Sequence, residues 1–555
     1  MSDETKSTTE VAVAEEKAAA PAEKQAAAPA EPQKYKPLST ALKFFFGVGD
    51  FGFNLMSSVE TYYFVFFLTN FAFIDMGPVE GAAFAASVAG IGSTVDAILG
   101  WMYGGFINSL KPFKWGRYRS WLVVLPWIVP FLYCFEFTAI TDNVMLNAGL
   151  IVFFNITSHA AWDFPYVSNI AMISMAAHTP EDRARMASTR GMWSNASKIF
   201  FGYLFPPIAL VGANMFGAQN QYAFGAFVMG IAFALLYFVH FKMFKGYEKE
   251  YTKEELANYK KKSDQGKTTF KDLGRALVTN QPLIFLLLAD IAKWIFNFMC
   301  AGIAAYYFNY VAVGMPMFAG LAMLGVYQVL SNILCVVGAA LSANFAKAIG
   351  STRNAMIFAL LFMAVMMFIA YFMYFNVWAV VIFMSLAQFG YGITYSCSTA
   401  MYADTVVYNE WKNRTNAAGW INGLQLFPLK IGFMARSIII PFVLAAVGLN
   451  AKGYQPVLDF AAGKVDGAVD PTKVLDVAGF QDVLANPTAY GFDPELINQF
   501  LAFQHGIGIG FMIVPACLCI LGAVLLALGY KLTNAKMAEY QAEIDARRAA
   551  GEIAE

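Results

Sequence analysis

Residues 221–243 read QYAFGAFVMGIAFALLYFVHFKM, twenty-three positions that contain a single charge, Lys242. Wound as a helix, this stretch is about 35 Å long and can cross a hydrocarbon core about 30 Å thick. The chain then changes abruptly, since residues 242–275 hold 16 charged side chains. The contrast extends outward from this boundary to the whole sequence. Of 555 residues, 58% are hydrophobic and 14% charged, against about 25% charged in ordinary globular chains. Residues 1–37, 242–275 and 531–555 together hold 37 of the 76 charges. The remainder is too depleted in charge to face water, so the chain is read as a polytopic membrane protein. Zero net charge gives no basic face for nucleic acid. The six cysteines lie in apolar stretches without disulfide or zinc spacing and read as packing residues.

Twelve apolar segments are expected, at 41–73, 81–107, 120–141, 146–177, 188–212, 221–243, 282–311, 317–346, 354–375, 378–403, 417–448 and 500–530. The connections after the first, third, fifth, seventh and ninth contain no Lys or Arg, whereas the alternate ones carry Lys111 to Arg119, Arg183 and Arg185, ten basic residues from Lys242 to Arg275, Lys347 with Arg353, and Lys412 with Arg414. This asymmetry places both termini in the cytoplasm. The expected organisation is a disordered cytoplasmic tail at 1–40, a six-helix bundle at 41–243, a cytoplasmic linker at 244–281, and a second bundle at 282–530. Within the second bundle, residues 449–499 form an external loop, read as a small cap, and residues 531–555 are a cytoplasmic tail. Stretches 171–191 and 400–419 echo each other as apolar helix, charged turn and small-residue entry. That echo suggests internal duplication and a central site between the halves.

A charge at mid-membrane costs about 2.5–3.5 kcal/mol on insertion scales, so each one inside a segment is a functional candidate. Glu60 and Asn54 lie in the first segment, Asp96 in the second, His159 and Asp163 in the fourth. Arg190 opens the fifth, Asp290 and Lys293 lie in the seventh, and Lys430 and Arg436 in the eleventh. His159 and Asp163, at i and i+4, share a face and are placed to exchange a hydrogen bond. Asp163 is also read as a partner for Arg190. Asp290 and Lys293 read as a packing ion pair, Glu136 as an interfacial residue, and Arg436 as snorkelling or paired. Glu60 has no partner in its own helix and is read as a titrating carboxyl. Tyr62, Tyr63, Trp162 and Tyr166 are the aromatics beside these charges. No Walker loop, HExxH or paired-cysteine motif occurs, so no cofactor and no metal are expected, and the protein is not read as an enzyme.

Four stretches, taken in order, resemble the glycoside–pentoside–hexuronide:cation symporters of the major facilitator superfamily: DAILGWMYGGFINSLKPFKWGRYRSW (96–121), WDFPYVSNIAMI (162–173), EDRARMASTRG (181–191) and ADTVVYNEWKNRTNAAG (403–419), followed by Gln425 and Lys430. The resemblance implies an all-α fold of twelve transmembrane helices in two pseudo-symmetric six-helix bundles. It places the family's cation-site acids on Asp96 and Asp163, its sugar-contacting Arg on Arg190 and its eleventh-helix Lys on Lys430. Departures are equally informative. The second cation-site Asp falls on Gly100, the Asn before it on Leu99, and a hydroxyl contributor on Ala160, which removes oxygens that sodium needs. The acid that accepts galactoside hydroxyls falls on Asn54.

The expected function is transport of a sugar, glycoside, uronate or related small organic solute across a bacterial inner membrane by alternating access, with a proton favoured as the coupled cation. Asn54, Asp163, Tyr166, Arg190 and Lys430 are expected to bind substrate, and Asp96, Asp163, Glu60 and His159 to couple it to a cation. With two family acids absent, Arg190 and Lys430 are expected to face fewer compensating acids, which suits an anionic substrate such as a uronate, a neutral glycoside being the other option. Asn108 and Arg117 on one turn and Asp404 on another are expected to form a gate. The partners are then a small solute, a co-transported cation and the lipid bilayer, for a monomer that binds no nucleic acid. The alternatives are an uncoupled facilitator or a non-transporting sensor or scaffold; costly intramembrane charges argue against a scaffold.

Overall fold

Glycines and prolines set where the expected spans begin and break. The computed structural model describes residues 36–100, 103, 106–107, 110–176, 180–257, 277–318, 322–414, 421, 424–465, 468–470 and 472–549. The tail expected at 1–40 therefore lies outside the described residues up to position 35. A short helix at Thr40–Phe45, capped by Ser39, stops at Gly47, where a Cβ would lie 2.6 Å from the Thr189 carbonyl and from Trp193. Helix α1 then spans Val48–Phe67 and ends in a wide π turn at Leu68–Ala72. Helix α2 is Pro78–Gly100. The third span, expected as one helix over 120–141, is two pieces, Trp121–Val124 and Val129–Glu136, together called α3. Pro126 and Pro130 lack the N–H needed to continue a helix, and they divide it.

The remaining spans are α4 (Val144–Ala176), α5 (Pro180–Phe216), α6 (Gln221–Met243), α7 (Gln281–Tyr310), α8 (Met323–Ile349), α9 (Thr352–Phe372), α10 (Val377–Asn413), α11 (Leu426–Ala446) and α12 (Pro494–Gly529, with a π turn at Ile509–Ile513). Ten helices among the described residues are long and apolar enough to cross a membrane; α1 and the broken α3 complete the expected twelve. Helix α10 runs ten residues beyond its expected end, to Asn413.

Packing shows the duplication. In the first half α1 packs on α5 and α6, α3 on α4 and α6, and α2 on α4. In the second, α7 packs on α11 and α12, α9 on α10 and α12, and α8 on α10. Each of these pairings in one half has its counterpart six helices on in the other. The halves meet where α2 packs on α11, α5 on α8, and α1 on α7, a set that maps onto itself under the same exchange. The fold is thus two pseudo-symmetric six-helix bundles. The α8–α10 contact is backbone to backbone. A Cβ at Gly338 would collide with the Phe389 carbonyl, and one at Gly392 with the Cys335 carbonyl. Small residues of this kind let membrane helices approach closely.

Three polar devices finish the molecule. The turn before α3 is held by Glu248, whose carboxylate accepts the backbone N–H groups of Arg117 (2.6 Å), Tyr118 (3.1 Å) and Arg119 (2.8 Å). Arg119 pairs with Glu250 at 2.6 Å and lies over the Phe241 ring. Replacing Glu248 by Ala strands three buried or half-buried donors, and a loss of about 1–3 kcal/mol is expected for each group left unpaired; a lowered unfolding temperature in detergent, without loss of the Arg119–Glu250 pair's salt sensitivity, is the check. Within 449–499 the described residues form helices at Ala451–Ala461 and Val477–Ala485 and an antiparallel pairing of Lys464–Val465 with Ala468–Val469, referred to below as the cap. The C-terminal segment, expected as a plain tail, forms a helix at Asn534–Ala549 that packs on α10. Trp411 stacks on Tyr540 (centroids 4.3 Å apart), its indole N–H donates to Glu543 (2.6 Å), and Arg547 donates to the Trp411 carbonyl (2.9 Å).

Candidate transport site

Two charge clusters mark the core, the first inside the first half and the second at the seam between the halves. The first is built on Asp50, one turn before Asn54 on α1. Arg190 of α5 donates from Nε to Asp50 Oδ1 (2.6 Å) and from its terminal nitrogen to the Tyr166 hydroxyl (2.9 Å), while Asn169 of α4 donates to Asp50 Oδ2 (3.0 Å). Phe53 stacks on Tyr166 with centroids 4.1 Å apart. Asn54 turns its amide back to the Asp50 carbonyl at 2.8 Å. The acid displaced from position 54 is therefore supplied at position 50, on the same helical face.

The second cluster centres on Asp96, Asp163 and Lys430. Lys430 Nζ of α11 lies 2.9 Å from Asp96 Oδ2 and 3.4 Å from Asp163 Oδ2, a contact between the two halves. The position of the missing second acid, Gly100, leaves the room that Lys430 occupies, since a Cβ there would sit 3.0 Å from its Cε. Behind Asp96 stands His159, with Nδ1 3.4 Å from Asp96 Oδ1 and Nε2 3.0 Å from Glu60 Oε2. Arg436 of α11, fully buried, lies 4.0 Å from Glu60 Oε1 and donates to the Thr61 carbonyl at 2.8 Å. Glu136, also fully buried, accepts from Asn155 (3.0 Å) and Ser158 (2.7 Å).

Arg190 and Lys430, each near the start of its membrane span, keep 24% and 28% of their side-chain surface exposed. Lys430 lies at the seam between the halves, where it bonds Asp96 and Asp163. Across it, the second half offers aromatic surface. Trp294 of α7 stacks on Phe298 (5.6 Å) and packs edge-on against the half-exposed Tyr395 of α10 (6.1 Å). Tyr395 is within electrostatic reach of Arg190 and Tyr166. At the face bearing the cap the halves are zipped together. Thr69 and Tyr306 share a hydroxyl contact at 2.5 Å, Tyr310 donates to Asn70, and Lys452 pairs with Asp75 at 2.6 Å.

Several sequence expectations are corrected by this geometry. Asp163 pairs with Lys430, and Arg190 pairs with Asp50. His159 contacts Glu60 and Asp96, because these acids stand opposite its ring while Asp163 points to α11. Glu60, expected to have no partner in its own helix, finds His159 and Arg436 on other helices, in agreement with that expectation. Glu136 is a core group because the broken α3 turns it inward, and Arg436 reaches no interface. Arg190 and Lys430, expected to face fewer compensating acids, are paired with one and two acids respectively. The Asp290–Lys293 pair stands as expected at 2.7 Å, with Ser398 donating to both Asp290 oxygens. Of the expected gate, Asn108 lies outside the described residues. The backbone of Arg117 is bound by Glu248, and Asp404 accepts from Tyr530 (3.3 Å), each within its own half. Asp50, Trp294 and Tyr395 were not anticipated. Asp50 was detectable as the other intramembrane acid of the first segment, four residues before Asn54.

The chain is similar in sequence to an isoprimeverose transporter of Lactiplantibacillus pentosus, 23% identical over 434 residues covering 74% of this chain and 81% of that protein. It is similar to a glucuronide carrier protein homolog of Escherichia coli strain K12, 23% identical over 412 residues, 70% and 82% of the two chains. Among solved structures it shares its fold with a D-xylose–proton symporter at a TM-score of 0.54 and 12% identity, over 89% and 97% of the chains. An inward-open form of the E. coli xylose transporter XylE also matches, at 0.54 and 12%, over 91% and 99%. The profile of the MFS/sugar transport proteins matches residues 45–460, three quarters of the length and all but the end of the second bundle. With the twelve helices, the paired halves and the charged seam between them, this shows that the chain belongs to the MFS/sugar transport protein family, as a multi-pass membrane transporter and not an enzyme.

Proposed function

We propose that the protein carries a neutral sugar or glycoside by alternating access and couples it to a proton. One observation supports the reading above the others: Arg190 and Lys430, the cations of the two clusters, each already have an acid. Arg190 is matched by Asp50 and Lys430 by two acids, so a uronate carboxylate would meet no unmatched charge at either of them. A neutral sugar fits the pairing better. Its hydroxyls can share the polar edge formed by Asp50, Arg190, Tyr166 and Lys430, and an apolar ring face can rest on Trp294 and Tyr395. Asn54, with its amide partly turned to its own helix, then contributes less than Asp50.

Proton coupling follows from the count of charges. Asp50, Asp96, Asp163, Glu60 and Glu136 face Arg190, Lys430 and Arg436, with His159 among them. Within these two clusters five acids stand against three permanent cations, most of them buried, which is costly unless protons or another cation join them. The hard-cation shell around Asp96 is depleted, whereas one carboxyl suffices for a proton. In this reading the cap face is the closed side and the basic face the one to which the site opens. The test is uptake of labelled isoprimeverose and a methyl glucuronide into proteoliposomes under separate proton and sodium gradients. Isoprimeverose uptake raised by an inward proton gradient and indifferent to sodium is the expected result; stimulation by sodium at fixed pH, or preference for the glucuronide, would sink the reading.

A further inference from the structure

Glu136, at the end of α3, has no place in the sugar site. It is fully buried, its carboxylate is held by Asn155 and Ser158, and no cation bonds to it among the described residues. Its neighbours nevertheless form a line. A carboxylate oxygen of Glu136, one of Glu60 and a ring nitrogen of His159 all lie within 4.8 Å of one another. Asn155 touches both Glu136 and His159, at 3.0 and 3.4 Å. His159 then joins Glu60 through Nε2 and Asp96 through Nδ1, and Asp96 meets Lys430. At these junctions Glu60 Oε1, Asp96 Oδ1 and His159 Nδ1 are buried without a hydrogen-bond partner. Unmade bonds along a chain of titratable groups are where a moving proton would close them.

We infer that Glu136 is the terminal proton store of a relay, Glu136–Glu60–His159–Asp96, that feeds the transport site from inside the first half, apart from the space the sugar uses. This rests on the proton-coupled reading above. In one transfer the Glu136 carboxyl gives its proton to Glu60, Glu60 Oε2 gives one to His159 Nε2, and Nδ1 gives its own to Asp96 Oδ1. An O–H bond breaks at Glu136 and one forms at Asp96, so one unit of charge moves along the bundle. Histidine suits the middle position because one ring nitrogen can accept as the other donates. The remaining groups that face the line are the Tyr133 hydroxyl on α3, which accepts from the Glu60 N–H (2.9 Å), Trp162 against the imidazole (4.3 Å), and Arg436 and Lys430 from α11 with Asp163 from α4. Arg436 and Lys430 bond Glu60 and the Asp96–Asp163 pair, whereas Glu136 is held by Asn155 and Ser158 alone, so the Glu136 end of the line is the one without a bonded cation among the described residues.

The test has two arms. In reconstituted full-length protein, E136Q should lower the ratio of proton-driven isoprimeverose uptake to isoprimeverose counterflow by at least about tenfold, and E136D should restore it; an unchanged ratio overturns the relay. The second arm needs no substrate. Infrared difference spectra of wild type between about pH 5 and pH 8 should contain a buried-carboxyl band that E136Q lacks, with an altered imidazole signal, whereas superimposable spectra overturn the proposal. Should wild type move isoprimeverose without protons, the coupled reading fails, and the infrared arm alone still decides whether Glu136 exchanges a proton with His159.

Discussion

Lys430→Gln should reduce net uptake by about a hundredfold or more. The substitution removes the one cation that bonds both Asp96 and Asp163, leaving two buried carboxylates facing each other across the seam. Breaking a buried pair from one side costs about 3–5 kcal/mol, which is roughly two to three orders of magnitude in any equilibrium that depends on it. The protein has a way to limit this cost, by taking up a proton between the two acids. Lys430→Gln is therefore expected to survive folding with one acid protonated and unable to release it. Adding Asp163→Asn should recover thermal stability in detergent without recovering proton-driven uptake. If the double variant regains uptake, Lys430 serves only to balance charge, and the coupling role assigned to Asp163 is lost. Measuring the unfolding temperature and uptake side by side separates the two outcomes.

Asp50→Asn should reverse the selectivity of the site. Arg190 is held on Asp50 by a 2.6 Å charge-assisted bond, and without that acid its guanidinium faces the central space unmatched. A carboxylate then gains what Asp50 gave up, and charge-assisted bonds are about twice as strong as neutral ones. We expect the ratio of glucuronide to isoprimeverose affinity to rise by about a hundredfold, a shift of about 3 kcal/mol. Ligand-induced stabilisation reads this directly, because binding raises the unfolding temperature by mass action. Asp50→Asn combined with Arg190→Gln should abolish the gain. A glucuronide response that is unchanged in Asp50→Asn would show that Arg190 does not face the substrate.

The expected fold was legible in the sequence because span length and charge scarcity are imposed by the bilayer and need no tertiary information. What escaped was local. The breaks at Gly47 and between Pro126 and Pro130 come from single residues inside apolar runs, and an apolar run reads the same whether it is one helix or two. The site was legible in its membership and less so in its pairing. Asp96, Asp163, His159, Glu60 and Lys430 do gather, but their partners lie on other helices, 99 residues apart for His159 and Glu60 and 334 for Lys430 and Asp96. Spacing within one helix suggested His159 with Asp163, whereas the neighbouring helices supplied nearer acids. Asp50 was passed over because the motif pointed to position 54, and a side chain one turn away on the same face can serve the same cation. Glu136 lies where an unbroken helix would have met the interface, and the break in α3 carries it inward.

The helix at Asn534–Ala549 also makes the molecule observable. It grips Trp411 by ring stacking, by an acceptor on the indole nitrogen and by a donor on the carbonyl. An indole held by a carboxylate and a phenol emits differently from one released into water, so the fluorescence lost in Trp411→Phe isolates one of the chain's 10 tryptophans. The end of α10 thereby carries its own optical reporter, and whether the terminal helix stays docked through a transport cycle can be followed without attaching a dye.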